Sequence, residues 1–142
     1  MSGADGATLP AACIYHIATA AELRRHCDGV AYAPPSLARE GFLHCTATPA
    51  TLLLVARDYF GAVHEPIVLL AIDPARVSAE LRYEAPAPID GGGTAHLASG
   101  EAFPHLYGPL DLAAVLGVAE IQRDGDAFVW PAAFGPLAAW LA

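Results

Sequence analysis

Six consecutive apolar residues near the middle of the chain, residues 67–72 (Ile-Val-Leu-Leu-Ala-Ile), restrict the fold more than any other segment. Successive side chains of a strand point to opposite faces of its sheet. A strand without polar alternation must therefore be covered on both faces. We expect a sheet that contains this strand and has further elements packed on each side.

The chain has 142 residues, a length that favours one domain with its own core. We expect this domain to span residues 13–142. Residues 1–12 lack the basic start and long apolar core of a secretory signal, so we interpret them as a flexible leader. Hydrophobic residues make up 55% of the chain, but no apolar run approaches the roughly 20 residues that a bilayer span needs. These features predict a cytoplasmic protein with no membrane partner.

The charge distribution argues against a nucleic-acid partner. The net charge is −8, lysine is absent, and the seven arginines are scattered along the chain. Binding to phosphates along a polynucleotide needs a clustered positive surface. One or two arginines can still hold a small anion, because the guanidinium group pairs with phosphate in a bidentate manner. A small-molecule ligand therefore fits this composition better than DNA or RNA does.

Local patterns predict alternating short strands and helices. The helix starts are indicated by Thr19 with Glu22 in capping-box spacing, by Ser36 after a proline pair, and by Thr48-Pro49. We expect Leu52, Ala56, Tyr59 and Phe60 to face inward. The predicted strands are residues 13–18, 30–33, 42–46, 67–72, 81–84 and 102–107, and the predicted helices are residues 20–27, 36–40, 50–60 and 112–116.

The C-terminal part is expected to form a hairpin of residues 118–122 and 128–130 around Asp124-Gly125. A final helix within residues 134–142 would place Trp140 against the body of the protein. Between residues 85 and 101 the chain is rich in Pro, Gly, Ala and Ser, and a loop of this length is usually functional or mobile. Its glycine run at residues 91–93 precedes no helical pattern, so it does not form a phosphate-binding loop of the Walker or Rossmann type.

Three histidines lie in apolar strands beside aromatic residues: His16, His44 and His105. If their strands face one cleft, the three imidazoles share a site, and a cluster of titratable groups in a cleft is typical of function. The alternative is that each is a hydrogen-bonded residue of the core. The remaining histidines, His26, His64 and His96, fall at a helix end or in loops, and we expect them at the surface.

Cysteines and glutamates near these strands are weaker candidates. Cys13, Cys27 and Cys45 are odd in number and lack CxxC spacing, which argues against disulfides and a zinc knuckle. Cys45 adjoins His44 but should point to the opposite face, so we interpret it as a small buried residue. Glu84 and Glu101 flank the long loop and could act as general bases, although solvated positions are the simpler interpretation.

Several motifs resemble a small bacterial family described as a domain of unknown function. The resemblance covers residues 13–121 and is carried by Gly-Phe-Leu-His-Cys-Thr at residues 41–46 and by Phe-Pro-His-Leu-Tyr-Gly-Pro-Leu at residues 103–110. The fold of that family is similar to that of ADP-ribosyltransferases, which cleave the nicotinamide–ribose bond of NAD. It implies an α+β fold in which small mixed or antiparallel sheets form a central cleft with short helices packed outside.

The resemblance also implies roles for the histidines. His16 matches a residue that holds the adenosine ribose, and His44 matches one that lies against the nicotinamide ribose. His105 occupies the strand position where the related enzymes usually have a glutamate, and Tyr107 is a candidate stacking partner for the cofactor. These implied roles make His16, His44 and His105 the candidate catalytic residues, with His16, His44 and Tyr107 as candidate cofactor-binding residues.

The leading hypothesis is therefore a protein that binds NAD or a related nucleotide, with divergent ADP-ribosyltransferase or NAD glycohydrolase chemistry and no metal. The matching strand offers no carboxylate to stabilise positive charge on the ribose, so the chemistry is expected to diverge from that of the related enzymes. One alternative is a non-catalytic module for a small ligand or a metal, since three imidazoles can form a zinc site. A third hypothesis is an interaction protein that dimerises through its apolar tail. The sequence leaves the acceptor and the oligomeric state open.

Overall fold

The computed structural model describes residues 12–86, 97 and 100–141. Most of the predicted leader, the glycine run at residues 91–93 and His96 lie outside the described residues. The described strands are β1 (Ile14–Thr19), β2 (Ala31–Tyr32), β3 (Leu43–His44), β4 (Ile67–Ile72), β5 (Glu80–Glu84), β6 (Phe103–Tyr107), β7 (Leu110–Asp111), β8 (Val115–Glu120), β9 (Gln122–Asp124) and β10 (Ala127–Val129). The helices are α1 (Ala20–Arg25), α2 (Pro35–Glu40), α3 (Pro49–Phe60) and α4 (Ala138–Leu141).

Strand β4 is the middle strand of a three-stranded antiparallel sheet with the order β1-β4-β8. All six of its residues are buried, which confirms the prediction from the unbroken apolar run. Alternate residues enter different cores: Leu70 packs with Ile14 on one face, and Leu69 packs with Tyr15 on the other. The predicted alternation of β1 is confirmed too, because Ile14 and Ala18 pack in one core and Tyr15 and Ile17 in the other.

A second antiparallel sheet has the order β3-β6-β5 and pairs His44 directly with His105. It is joined to the central sheet just after β3, where Thr46 and Tyr15 exchange two backbone hydrogen bonds of 2.8 and 2.9 Å. This bridge places the middle of β1 beside the end of β3. The arrangement is an α+β fold of small antiparallel sheets with short helices.

The helix starts follow the predicted signals in part. The hydroxyl of Thr19 accepts a hydrogen bond from the backbone N–H of Glu22, as an N-cap residue should. The N-cap of helix α2 is Pro34, two residues before the predicted cap Ser36, because Pro35 already has the φ of a first helical turn. Thr48 occupies the N-cap of α3 without a capping hydrogen bond from its side chain.

Helix α3 buries Leu52 and Ala56 as predicted, whereas Tyr59 and Phe60 are only partly buried. With 12 residues it is the longest described helix. Within residues 12–86 and 100–141, none of the helices is long and apolar enough to cross a membrane.

The predicted helix at residues 112–116 is wrong beyond its first turn. Residues Leu112–Ala114 form a single 3-10 turn, and Val115 already begins β8. Pairing with β4 buries residues 117–119, and this sheet contact overrides the helical pattern. The hairpin also differs from the prediction: its first strand is β9, which pairs with β10, and residues 118–121 take no part in it.

The C-terminal tail packs on the body, as predicted for Trp140. Phe134 is buried in one core, Trp140 packs against the other, and Gly135 pairs with Val118 of β8. The final helix is short, covering only Ala138–Leu141. The apolar residues that the dimer hypothesis assigned to an interface thus have contacts within their own chain.

Candidate functional site

One cleft of about 270 Å³ is bordered by β1, by the segment after β3, by β6 and by helices α2 and α3. Its walls include His16, His44 and His105. The structure therefore brings together the three strand histidines that the sequence singled out. His26 and His64 are not among the residues of this cleft.

His16 is buried, with 8% of its surface exposed. Its Nδ1–H donates a hydrogen bond of 2.6 Å to the backbone carbonyl of His44. Burial lowers the pKa of His16 to about 4, although the hydrogen bond to His44 acts in the opposite direction. The ring is therefore neutral at pH 7, and its Nε2 is a hydrogen-bond acceptor.

His44 is paired with Glu40, a residue that sequence reasoning missed. The Nε2–H of His44 donates to Oε1 of Glu40, and Glu40 is itself part of the cleft wall. Gly41 makes this local pairing possible, because its φ of +88° reverses the chain after α2 and such a conformation favours glycine. Glu40 and His44 are four residues apart with Gly41 between them, and this spacing was the sequence signal that could have identified Glu40.

His105 is almost completely buried, with 3% exposed, and is paired with a second glutamate. Its Nδ1–H donates to Oε1 of Glu84 at 2.8 Å, and the hydroxyl of Tyr107 donates to the same oxygen at 2.5 Å. These hydrogen bonds, that of Tyr107 first, lower the pKa of Glu84. Glu84 does end β5, and 37% of its side chain is exposed, but its carboxylate also holds the side chains of His105 and Tyr107, which the sequence did not predict. The carboxylate beside His105 therefore comes from Glu84 of the neighbouring strand β5 and not from β6 itself.

Phe42 holds the two paired histidines together. Its ring stacks on His105 with a centroid distance of 4.3 Å and lies 4.7 Å from the ring of His44. The imidazoles of His44 and His105 are 5.6 Å apart and nearly perpendicular. Sequence reasoning missed this role of Phe42, which depends on the pairing of β3 with β6.

Tyr107 lies behind His105 and is not one of the residues that form the cleft. Its hydroxyl is bound to Glu84, and the guanidinium group of Arg82 lies 4.5 Å from its ring centroid. Arg82 in turn forms two hydrogen bonds with Glu80, of 2.8 and 3.0 Å. In this structure Tyr107 supports His105 from outside the cleft.

The other candidates have structural contacts. Cys45 borders the cleft but is buried, and burial raises the pKa of its thiol to about 12, so it is protonated and a poor nucleophile at pH 7. Burial also raises the pKa of Cys13. Glu101 accepts hydrogen bonds of 2.9 and 3.2 Å from the hydroxyl of Thr48, an interaction that the sequence did not predict.

The three imidazoles form the wall of a cleft without a metal-binding geometry. Across the part of the chain that the structure describes, no group of three or more His, Cys, Asp or Glu side chains is arranged to hold a metal ion. Each of the three rings instead uses one nitrogen for a hydrogen bond to a carbonyl or a carboxylate.

Residues 17–118 match the model of a family described as "Protein of unknown function (DUF952)". The chain belongs to the DUF952 family. This result confirms the resemblance to a domain of unknown function that the motifs indicated. The family description assigns no activity to its members.

Two solved structures resemble this DUF952 protein, namely protein CC0527 from Caulobacter crescentus and a double mutant of the same protein. CC0527 is 26% identical, superposes with a TM-score of 0.64, and the match covers 80% of this chain and 90% of that one. The double mutant has the same identity and coverage with a TM-score of 0.63. No curated protein matches the chain.

Proposed function

We propose that this DUF952 protein binds NAD or a related nucleotide in the histidine-lined cleft and acts on the bond between nicotinamide and ribose, in a fold of the ADP-ribosyltransferase type. One observation carries the proposal: His16, His44 and His105 line one cleft, and each ring already donates one N–H to a protein oxygen. In a neutral imidazole the second nitrogen is an acceptor. The neutral ring of His16 therefore offers the cleft an acceptor at Nε2, which suits a hydroxyl donor of a ribose.

The cleft is large enough to hold one half of a dinucleotide, but not both halves. Ligand pockets range over roughly 300–1,000 Å³, and this cleft is near the lower limit at about 270 Å³. A nicotinamide riboside group is of suitable size, with the remaining nucleotide outside. Tyr15, Tyr59 and Phe103 contribute aromatic surface to the walls, against which a planar base can pack.

Arg39 supplies the positive charge that a pyrophosphate group needs. Its side chain borders the cleft and is 67% exposed, so its guanidinium can turn towards a phosphate outside the cleft. The net charge of −8 favours a small nucleotide over a polynucleotide. All three cysteines are free, which suits the reducing cytoplasm that we propose as the location.

In the proposed reaction His44 and His105 orient the ribose and the attacking water. Glu40 fixes one ring and Glu84 the other, so both imidazoles keep defined orientations, as positioning of reactants requires. Nε2 of His16 accepts a hydrogen bond from a ribose hydroxyl. A non-catalytic module that binds the same nucleotide is the alternative, and the same histidine-lined cleft supports it.

The test combines turnover and binding. Purified protein is incubated with millimolar NAD, released nicotinamide is measured by chromatography, and calorimetry measures NAD binding. We expect both signals to be lost in His44→Ala, whereas His64→Ala, which removes an exposed histidine, should behave as wild type. Binding without nicotinamide release would favour the non-catalytic module, and absence of both would refute the nucleotide proposal.

A further inference from the structure

Cleavage of the nicotinamide–ribose bond leaves positive charge on the ribose, and a carboxylate beside the ribose stabilises that charge. In this chain the strand position expected to provide the carboxylate is occupied by His105. Glu84 is not a member of the cleft wall and lies behind that histidine. The carboxylate that faces the ribose must therefore come from another element.

Two glutamates belong to the described wall of the cleft, Glu22 and Glu40. Glu22 accepts a long hydrogen bond of 3.4 Å from the hydroxyl of Tyr32, a residue with no exposed surface, so it is directed towards the core beneath α1. Glu40 accepts a hydrogen bond from His44, the ring assigned to the nicotinamide ribose. Of the two, Glu40 is held beside the reacting part of the ligand.

Glu40 is oriented by neighbours on both of its carboxylate oxygens, His44 on one and Arg39 near the other. Its side chain is 25% exposed, and its second oxygen lies 3.6 Å from the largely exposed guanidinium of Arg39. Such an exposed pair is weak, and Arg39 is free to turn to a phosphate. Gly41 and Phe42 fix the return of the chain, so the carboxylate is held in place before the ligand binds. Preorganised charge of this kind contributes most to stabilising a transition state.

We propose that Glu40 is the catalytic carboxylate of this site, an inference that rests on the proposed function. The bond between C1′ of the ribose and the nitrogen of nicotinamide breaks, and its electron pair leaves with the nitrogen, which neutralises the pyridinium ring. Glu40 faces the positive charge that develops at C1′. The oxygen of a water molecule then forms a bond to C1′, and the water releases one of its protons to solvent. The products are ADP-ribose, nicotinamide and a proton.

The test is the substitution Glu40→Gln. The amide oxygen of glutamine can still accept the N–H of His44, so the ring keeps its orientation while the negative charge is removed. We expect kcat for nicotinamide release to fall by about 10²- to 10³-fold, as on loss of a single transition-state contact in other enzymes. The KM for NAD and the calorimetric affinity for ADP-ribose should stay close to wild type, because the charge acts mainly in the transition state.

Two matched variants remove the same charge elsewhere. Glu65→Gln, at an exposed position outside the cleft, should retain the wild-type kcat, and Glu22→Gln should lower it far less than Glu40→Gln does. A Glu40→Gln protein with wild-type kcat, or an equal loss in Glu22→Gln, would overturn the role of Glu40 and leave the proposed function intact. A wild-type protein that binds NAD without releasing nicotinamide would overturn both the reaction and this role.

Discussion

Burial of His16 should make the stability of the protein depend on pH between about 4 and 6.5. The folded protein keeps the ring neutral, because burial lowers its pKa from an ordinary 6.5 to about 4, whereas the unfolded chain takes up a proton at the ordinary pKa. In this range the unfolded state binds more protons, so the free energy of unfolding falls as the pH falls. Above pH 6.5 the effect is absent, and below pH 4 it is fully developed.

The size of the effect follows from the two pKa values. A tenfold difference in proton affinity corresponds to about 1.4 kcal/mol, so the interval between 6.5 and about 4 corresponds to about 3 kcal/mol. This is a large part of the roughly 5–15 kcal/mol that keeps a typical domain folded. Protonation of His16 alone should therefore make the protein markedly less stable in mild acid.

Urea unfolding at a series of pH values measures this quantity, with His16→Gln as the reference. The glutamine amide can donate to the carbonyl of His44 but does not titrate, so the wild type should lose about 3 kcal/mol more than the variant between pH 7 and 4. His64→Gln changes an exposed histidine and should follow the wild type. Parallel curves for the wild type and His16→Gln would refute the link between burial and stability.

Three further predictions concern neighbouring positions. Tyr107→Phe removes the hydrogen bond that contributes most to the lowered pKa of Glu84, so NMR titration of that carboxyl should show a pKa closer to its ordinary value; an unchanged titration would mean that Tyr107 has no such effect. Gly41→Ala places a side chain at a φ of +88° in open space and should lower the free energy of unfolding in urea by about 1–2 kcal/mol. Gly135 has equal room but no positive φ, so Gly135→Ala should lower it far less. Equal losses in the two variants would show that backbone strain is not the cause. The buried Cys45 should react with iodoacetamide only after unfolding, as mass spectrometry can show, and modification of the folded protein would contradict its burial.

The elements that were predicted correctly depend on local chemistry. The apolar run of β4, the hydroxyl of Thr19 and the turn at Gly41 each determine their own conformation. Residues 115 and 116 form a strand instead of the end of the predicted helix, and residues 118–120 form the predicted strand but pair with β4 instead of the hairpin partner. The open edge of β4 decides this, and it belongs to a distant segment of the chain. Local sequence therefore predicted single elements better than their pairing.

The same distinction applies to the site. The three histidines were recognisable as polar residues within apolar strands. Glu84 contacts His105 across 21 positions of the chain, and only the register of β5 against β6 reveals this contact. Glu40 is four residues from its partner His44, so here the local sequence did contain the signal, in a glycine turn that brings both side chains to one side.

The hydrogen bond from His16 ends on the main chain of His44, not on its side chain. Every amino acid at position 44 has the same carbonyl, so mutation there leaves the anchor of His16 chemically unchanged. In evolution, the side chain at position 44 is thus free to adapt to a different substrate while position 16 keeps its partner. The cleft can change its chemistry at one histidine without giving up the contact that fixes another.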